Sequence, residues 1–250
     1  MLKHFIGLQW KSFFRSASFK TEIWFKILMA LGALYFIVMF LLLGTFAYKI
    51  IEELEMGDPL RVVNRFMVYY LAFDLVFRYM LQKMPVTNIK PLLYLPMSKT
   101  KVVNFSLGKT IISFFNVAHA FFFVPFSIVL LVKGYPPVQV IGWHLALMAL
   151  FYCNNFLNVM VNNQNSIFYL LAALFIVAGA SQYYEWFDIT IYTQPIFDFF
   201  YDMPWTAVIP WMILAGMYYG AFSYFKKHMY LDGGLAKKQT EAKTENLEWL

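Results

Sequence analysis

Residues 27–51 read ILMALGALYFIVMFLLLGTFAYKII, and residues 52–58 continue as EELEMGD. The first run carries a single charge, Lys49. At about 1.5 Å of rise per helical residue it is long enough to cross the ~30 Å hydrocarbon core of a bilayer. Ahead of it stand Lys3, Lys11, Arg15, Lys20 and Lys26; behind it stand Glu52, Glu53, Glu55 and Asp58. Cations before and acids after orient such a span with its N-terminal end in the cytoplasm.

Working outward, five more apolar runs follow: Phe66–Gln82, Leu107–Val132, Val138–Val161, Ile167–Gln182 and Trp205–Phe225. The segment before the first run, the stretch Arg78–Lys109 and the tail Lys226–Lys243 together hold sixteen of the 20 Lys and Arg residues. The alternate loops hold only Lys49, Arg61, Arg65 and Lys133, along with Glu185, Asp188, Asp198 and Asp202. Six spans and this sorting place both termini in the cytoplasm, as expected of an inner-membrane protein. The expected fold is therefore all-α: a polytopic membrane protein of six transmembrane helices, with an N-terminal amphipathic interfacial helix.

Composition agrees. Hydrophobic residues make up 61% of the 250 and charged residues only 14%, against about 25% charged in soluble domains. The net charge of +6 reads as the cytoplasmic lysine bias, not as a nucleic-acid footprint. The expected surrounding is a lipid bilayer, with no nucleic acid. One cysteine, Cys153, permits no internal disulfide, and no Cys/His spacing suggests a zinc site. Residues 1–26 lack the compact apolar core of a cleaved leader.

The domain reading has three parts. Residues 1–26 form the amphipathic interfacial helix, with Leu2, Phe5, Ile6, Trp10, Phe13 and Phe14 near helical spacing. Residues 27–228 form the transmembrane domain. It includes a cytoplasmic connector, 83–106, punctuated by Pro85, Pro91 and Pro96, and an outer segment, 183–204, that is aromatic and acidic. The outer segment is too apolar for a solvated loop, and is expected in the outer interface or dipping back into the protein. Residues 229–250 form a polar cytoplasmic tail.

Candidate intramembrane polar residues are few. Asp74 and Arg78 lie four apart on one helix face. Ionisable groups inside a bilayer are costly, about 2.5–3.5 kcal/mol on insertion scales, so these must be paired. They read either as a gate or pathway charge, or as a self-neutralising pair with Arg78 reaching toward the cytoplasm. Asn154, Asn158, Asn162 and Asn165 follow one face, with Asn155 and Asn163 beside it; they read as interhelical glue or as a polar lining. His119 is a packing residue or a proton relay. Leu107-Gly108-Lys109-Thr110 resembles the end of a phosphate-binding loop. The required earlier glycine is replaced by Val103, so nucleotide binding is excluded. No hydrolase triad, HExxH helix or second intramembrane aspartate supports an enzyme. No cofactor is expected in this chain.

The order of segments, the run Pro91-Leu92-Leu93-Tyr94-Leu95-Pro96-Met97-Ser98-Lys99-Thr100-Lys101 and the opening Leu8-Gln9-Trp10-Lys11-Ser12-Phe13-Phe14-Arg15 resemble the membrane subunit of a type 2 ABC exporter. They are similar to a group of bacterial permease-like proteins within that class. The resemblance implies a short coupling helix between the second and third spans, here carrying Leu92, Leu93, Tyr94, Leu95, Lys99 and Lys101. It also implies a separate ABC-type ATPase that binds ATP, gate helices between the last two spans, and a homodimer or second permease half. A non-transporting membrane scaffold or assembly factor would use the same surfaces without alternating access. A membrane lipid enzyme would rest on the Asn154–Asn165 face alone.

Overall fold

A computed structural model describes residues 23–82, 98–161 and 165–228. The interfacial segment before residue 23, the connector residues Leu92–Leu95, Asn162 and the tail from 229 lie outside the described residues. Within them the chain is helical, with turns and no strand.

Helix α1 spans Ile23–Glu53, α2 Pro59–Leu81, α3 Lys99–Ile111, α4 Phe114–Val132, α5 Pro137–Val161, α6 Asn165–Tyr183, α7 Thr190–Asp202 and α8 Val208–His228, with a 3₁₀ turn, Pro204–Ala207, leading into α8. Five helical stretches are long and apolar enough to cross a membrane: Ala30–Glu53, Lys99–Val132, Pro137–Val161, Ser166–Tyr183 and Pro204–Lys227. The expected second span is absent from that set. Its helix, α2, carries Arg61, Arg65, Asp74 and Arg78 and starts seven residues before the predicted run. Asp58 caps its N-terminus through the Arg61 amide at 3.0 Å, and Pro59 follows in the first turn.

The third predicted run is broken. α3 ends at Ile111, α4 begins at Phe114, and Ser113 holds the extended N-cap position between them. Asn116 bridges the break, its amide nitrogen donating to the carbonyls of Thr110 at 2.9 Å and Ile111 at 3.1 Å. Both belong to the last turn of α3, where carbonyls lack the usual amide four residues on; that of Thr110 also accepts from the Ser113 amide at 3.1 Å. α3 also absorbs residues 99–106 of the predicted connector, because Val102, Val103, Ser106 and Leu107 bury one of its faces.

α5 lies at the centre, against α2, α4, α7 and α8. The larger core joins Leu60 and Met67 of α2, Phe123 and Phe126 of α4, Trp143, Leu147 and Phe151 of α5, and Phe197 and Phe200 of α7. A second core near the other end joins Val103 and Leu107 of α3, Phe156 and Val159 of α5, and Ala221 and Phe225 of α8. Two glycines permit close approach. A Cβ on Gly44 of α1 would fall 2.3 Å from the Phe122 carbonyl oxygen of α4. A Cβ on Gly142 of α5 would fall 2.6 Å from the Pro204 side chain. By contrast α1 and α6 expose apolar side chains widely, among them Leu31, Tyr35, Tyr169, Leu170, Leu174 and Ile176. A water-facing protein could not sustain so large an apolar surface.

The outer segment 183–204 contains α7, which lies on α2 and α5 and places Phe197 and Phe200 in the larger core. Its aromatic residues divide, with Tyr192 and Phe199 exposed.

Candidate functional site

Polar residues recur along α2 at helical spacing: Arg61, Asn64, Tyr70, Asp74, Arg78 and, just past its end, Gln82. The fold turns this stripe toward α4, α5 and α7, so it becomes a polar seam through the bundle.

Its centre is Asp74. Arg78 Nε donates to both carboxylate oxygens at 2.9 and 2.8 Å. Asn154 Nδ2 donates to Oδ2 at 3.0 Å. His119 Nε2 lies 3.1 Å from Oδ1. The Arg78 side chain is fully buried, and its remaining nitrogens reach the Phe115 carbonyl at 3.3 Å and Gln82 Oε1 at 3.4 Å. Burial of a charge demands such pairing. Tyr70 Oη lies 2.8 Å from His119 Nδ1, and the imidazole stacks on Phe151 at 4.0 Å between centroids. His119 Nε2 faces both Asp74 and, at 3.0 Å, Arg78 Nη2: as N–H it donates to the carboxylate while Nδ1 accepts from the Tyr70 hydroxyl, and as a bare nitrogen it accepts from Arg78 while Nδ1–H donates to Tyr70 Oη.

The seam continues toward α3. Gln82 Nε2 donates to Asn155 Oδ1 at 3.0 Å, Asn155 Nδ2 donates to Thr110 Oγ1 at 2.8 Å, and Thr110 Oγ1 donates to the Leu107 carbonyl. Beside this chain, at the α3–α4 break, Ser113 Oγ and Asn116 Oδ1 are buried without a partner. Two idle buried acceptors mark a place where a donor such as water would bind.

At the other end of α2 the polar residues hold α7. Arg61 is bidentate to Asp202 at 2.6 and 3.1 Å and reaches Asp198 at 3.2 Å. Asn64 donates to Asp198 at 2.7 Å and accepts from Trp143 Nε1 at 2.7 Å. Arg65 bonds Asp188 at 2.9 Å and Thr190 at 3.1 Å. The Thr190 hydroxyl, then the Thr190 amide and Arg65, hold the Asp188 carboxyl below the usual range. Next to this clasp Tyr135 donates to Asp58 at 2.7 Å; burial first, then that hydrogen bond, pushes its phenol above the ordinary value.

Between the two polar zones lies an apolar plug of Met67, Phe123, Trp143, Leu147 and Phe151.

Of the residues singled out from sequence, Asp74, Arg78, His119 and Asn154 converge in one cluster. Asn158 is buried on α5, and Asn162 lies outside the described residues. Asn155, set beside the predicted asparagine face, joins the network directly. Lys99 and Lys101 are exposed at the start of α3. Tyr70, Gln82, Thr110, Asn116 and the Arg61, Asn64 and Arg65 clasp were not among the predicted residues. A helical stripe of polar residues from Arg61 to Gln82 was the signal that could have found most of them.

Five apolar helices around a buried polar seam define a helical membrane protein. The chain belongs to a family of unknown function, DUF5687, whose model matches residues 9–250. No curated protein and no solved structure matches it.

Proposed function

We propose that this chain is the membrane subunit of an ATP-driven exporter in the bacterial inner membrane. It works with a separate ABC-type ATPase, and as a homodimer or with a second permease half. The substrate is unassigned. The observation that carries this reading is the position of α2. Its C-terminal end leads into connector 83–98, and its N-terminal end holds α7 by ion pairs from Arg61 and Arg65. The helix has 23 residues, about 35 Å at the usual rise. A push received at the connector thus reaches the opposite end of the bundle through one rigid element. Force of this kind is what an ATPase docked on Leu92, Leu93, Tyr94, Leu95, Lys99 and Lys101 would deliver.

In this proposal α2 is the sixth span. Its hydropathy is low because it carries Arg61, Arg65, Asp74 and Arg78; Asp74 and Arg78 pair inside the bundle, and Arg61 and Arg65 sit at the end. Six spans return both termini to the cytoplasm, where the lysine-rich connector also lies.

The test is co-purification from native membranes. The wild-type chain should bring down an ATPase, and Leu93→Asp with Leu95→Asp should release it. An intact chain that brings down no ATPase refutes the reading and favours a scaffold.

A further inference from the structure

The buried cluster has one carboxylate for two basic groups. Asp74 Oδ1 lies 2.9 Å from Arg78 Nε and 3.1 Å from His119 Nε2. Each imidazole nitrogen has an acceptor within reach: Asp74 for Nε2, and the Tyr70 hydroxyl oxygen, at 2.8 Å, for Nδ1. A ring with a proton on both nitrogens therefore fits this pocket with no idle donor. With a neutral ring, Asp74 and Arg78 cancel. With an imidazolium, two cations share one carboxylate, and one of them must find other partners. Arg78 has them. Its Nη1 lies 3.4 Å from Gln82 Oε1 and its Nη2 3.3 Å from the Phe115 carbonyl. The imidazole is fixed in place, stacked on Phe151 at 4.0 Å and edge-on to Tyr70 at 5.5 Å between centroids.

The groups that set the charge of this ring come from α2. That helix presents Tyr70, Asp74 and Arg78. α5 presents the Phe151 ring and, through Asp74, the Asn154 amide. Further along α5, Cys153 turns to the Pro210 carbonyl of α8, and His144 to Ser127 Oγ at 2.9 Å. α1, which packs on α4, has no titratable residue between positions 36 and 47. α4 itself has none besides His119. On α3, Lys109 is exposed beyond the break.

We propose that His119 is a proton-binding site inside the bundle, and that the bound proton transfers Asp74 from Arg78 to His119. In the neutral state the bare Nε2 accepts from Arg78 Nη2, 3.0 Å away, Nδ1–H donates to Tyr70 Oη, and Asp74 pairs with Arg78. One proton then enters on Nε2 and no other bond is made or broken covalently. Nε2–H donates to Asp74, while Arg78 loses its nitrogen acceptor, shares its carboxylate and keeps Gln82 and Phe115. The two states tie α4 to different points of α2: to Arg78 without the proton, to Asp74 one helical turn earlier with it. The proton thus acts on the helix to which the exporter reading gives force transmission, yet the site is independent of whether an ATPase drives the chain.

The experiment uses the full chain in phosphatidylcholine nanodiscs and follows the imidazole nitrogens by NMR of histidine-labelled protein between about pH 8 and pH 5, where histidine ordinarily changes charge. The sequence has four histidines. H4Q/H144Q/H228Q leaves His119 as the single signal, and His119→Gln assigns the same signal in the wild type by its loss. The ring should pass from neutral to imidazolium with one midpoint in that range. Arg78→Gln removes the competing cation and should raise the midpoint by about one unit or more. Tyr70→Phe keeps the aromatic ring but removes the acceptor for Nδ1–H, and should lower the midpoint; it decides the matter if Arg78→Gln fails to fold. The proposal is overturned if His119 is still neutral at the acid end, if it is already doubly protonated at the alkaline end, or if a folded variant leaves the midpoint in place or moves it the other way. Each of those results makes His119 a packing residue.

Discussion

Asp74 and Arg78 show why a single ion pair here has a stability role larger than a surface pair has. Both are buried, and Asp74 accepts from Arg78 and from Asn154, with His119 Nε2 3.1 Å away. Removing the cation with Arg78→Met strands a buried carboxylate, a change that costs roughly 3–5 kcal/mol. Asp74→Asn with Arg78→Met strands no charge and should recover a large part of that loss. Thermal unfolding of the three forms in detergent reads both effects. The clasp gives a pH dependence. The Asp188 carboxyl is held below its usual range, so it binds its proton more weakly folded than unfolded. Its contribution is complete above the ordinary aspartate range near 3.8 and is lost as pH falls through the lower folded value. Wild type should therefore lose stability on strong acidification through this group, and Asp188→Asn should remove that part of the slope in an acid titration of the unfolding midpoint. The Tyr135 phenol has the opposite sign: raised when folded, it stabilises fully below its ordinary value near 10 and fails only on strong alkalinisation. Tyr135→Phe should flatten the alkaline limb.

At the scale of elements, contacts between helices rest on small residues and breaks more than on long apolar stripes. Gly44 lets α1 meet the α4 backbone, and Gly142 lets α5 meet Pro204. Gly44→Leu should displace α1 while leaving the α2–α5 core folded, which proteolysis and crosslinking between α1 and α4 would detect as loss of that pair alone. Gly142→Val presses on Pro204, whose turn joins α7 to α8, and should loosen α7. A cysteine at the clasp should then become more reactive to a water-soluble thiol reagent, measured in a Cys153→Ser background. The single-charge run Ile27–Ile51 predicted α1 well, because lipid-facing helices are written in hydropathy. α2 was harder. At its N-terminal end the polar face is satisfied by residues more than a hundred positions away, as in Asn64 with Asp198, and no local rule reports such partners. The α3–α4 break was equally hidden: Ile111, Ile112 and Ser113 sit in an apolar run, and the interruption is held by the Asn116 amide folding back onto α3 and by the Ser113 amide on the Thr110 carbonyl.

For the whole molecule, charge sorting along the sequence reappears as two unlike ends. Acids and arginines are matched around α7, while Lys101 and Lys109 of α3 and Lys226 and Lys227 of α8 are exposed, with no carboxylate partner among the described residues. Asp74 and Arg78 were legible as a pair, and His119 and Asn154 singly, as polar residues in apolar runs. Their union was not, because it depends on α4 and α5 arriving beside α2. α1 is partnered far more extensively by α4 than by its chain neighbour α2, and that has a consequence during synthesis. At about 5–20 residues per second, the ribosome needs several seconds to travel from Gly44 to Phe122. Throughout that interval α1 has no carbonyl ridge to receive its glycine notch and keeps most of its partner-facing surface in lipid. The assembly line of this protein is thus out of order by design of its contacts, and an insertion chaperone that shelters early helices would find its natural client in α1.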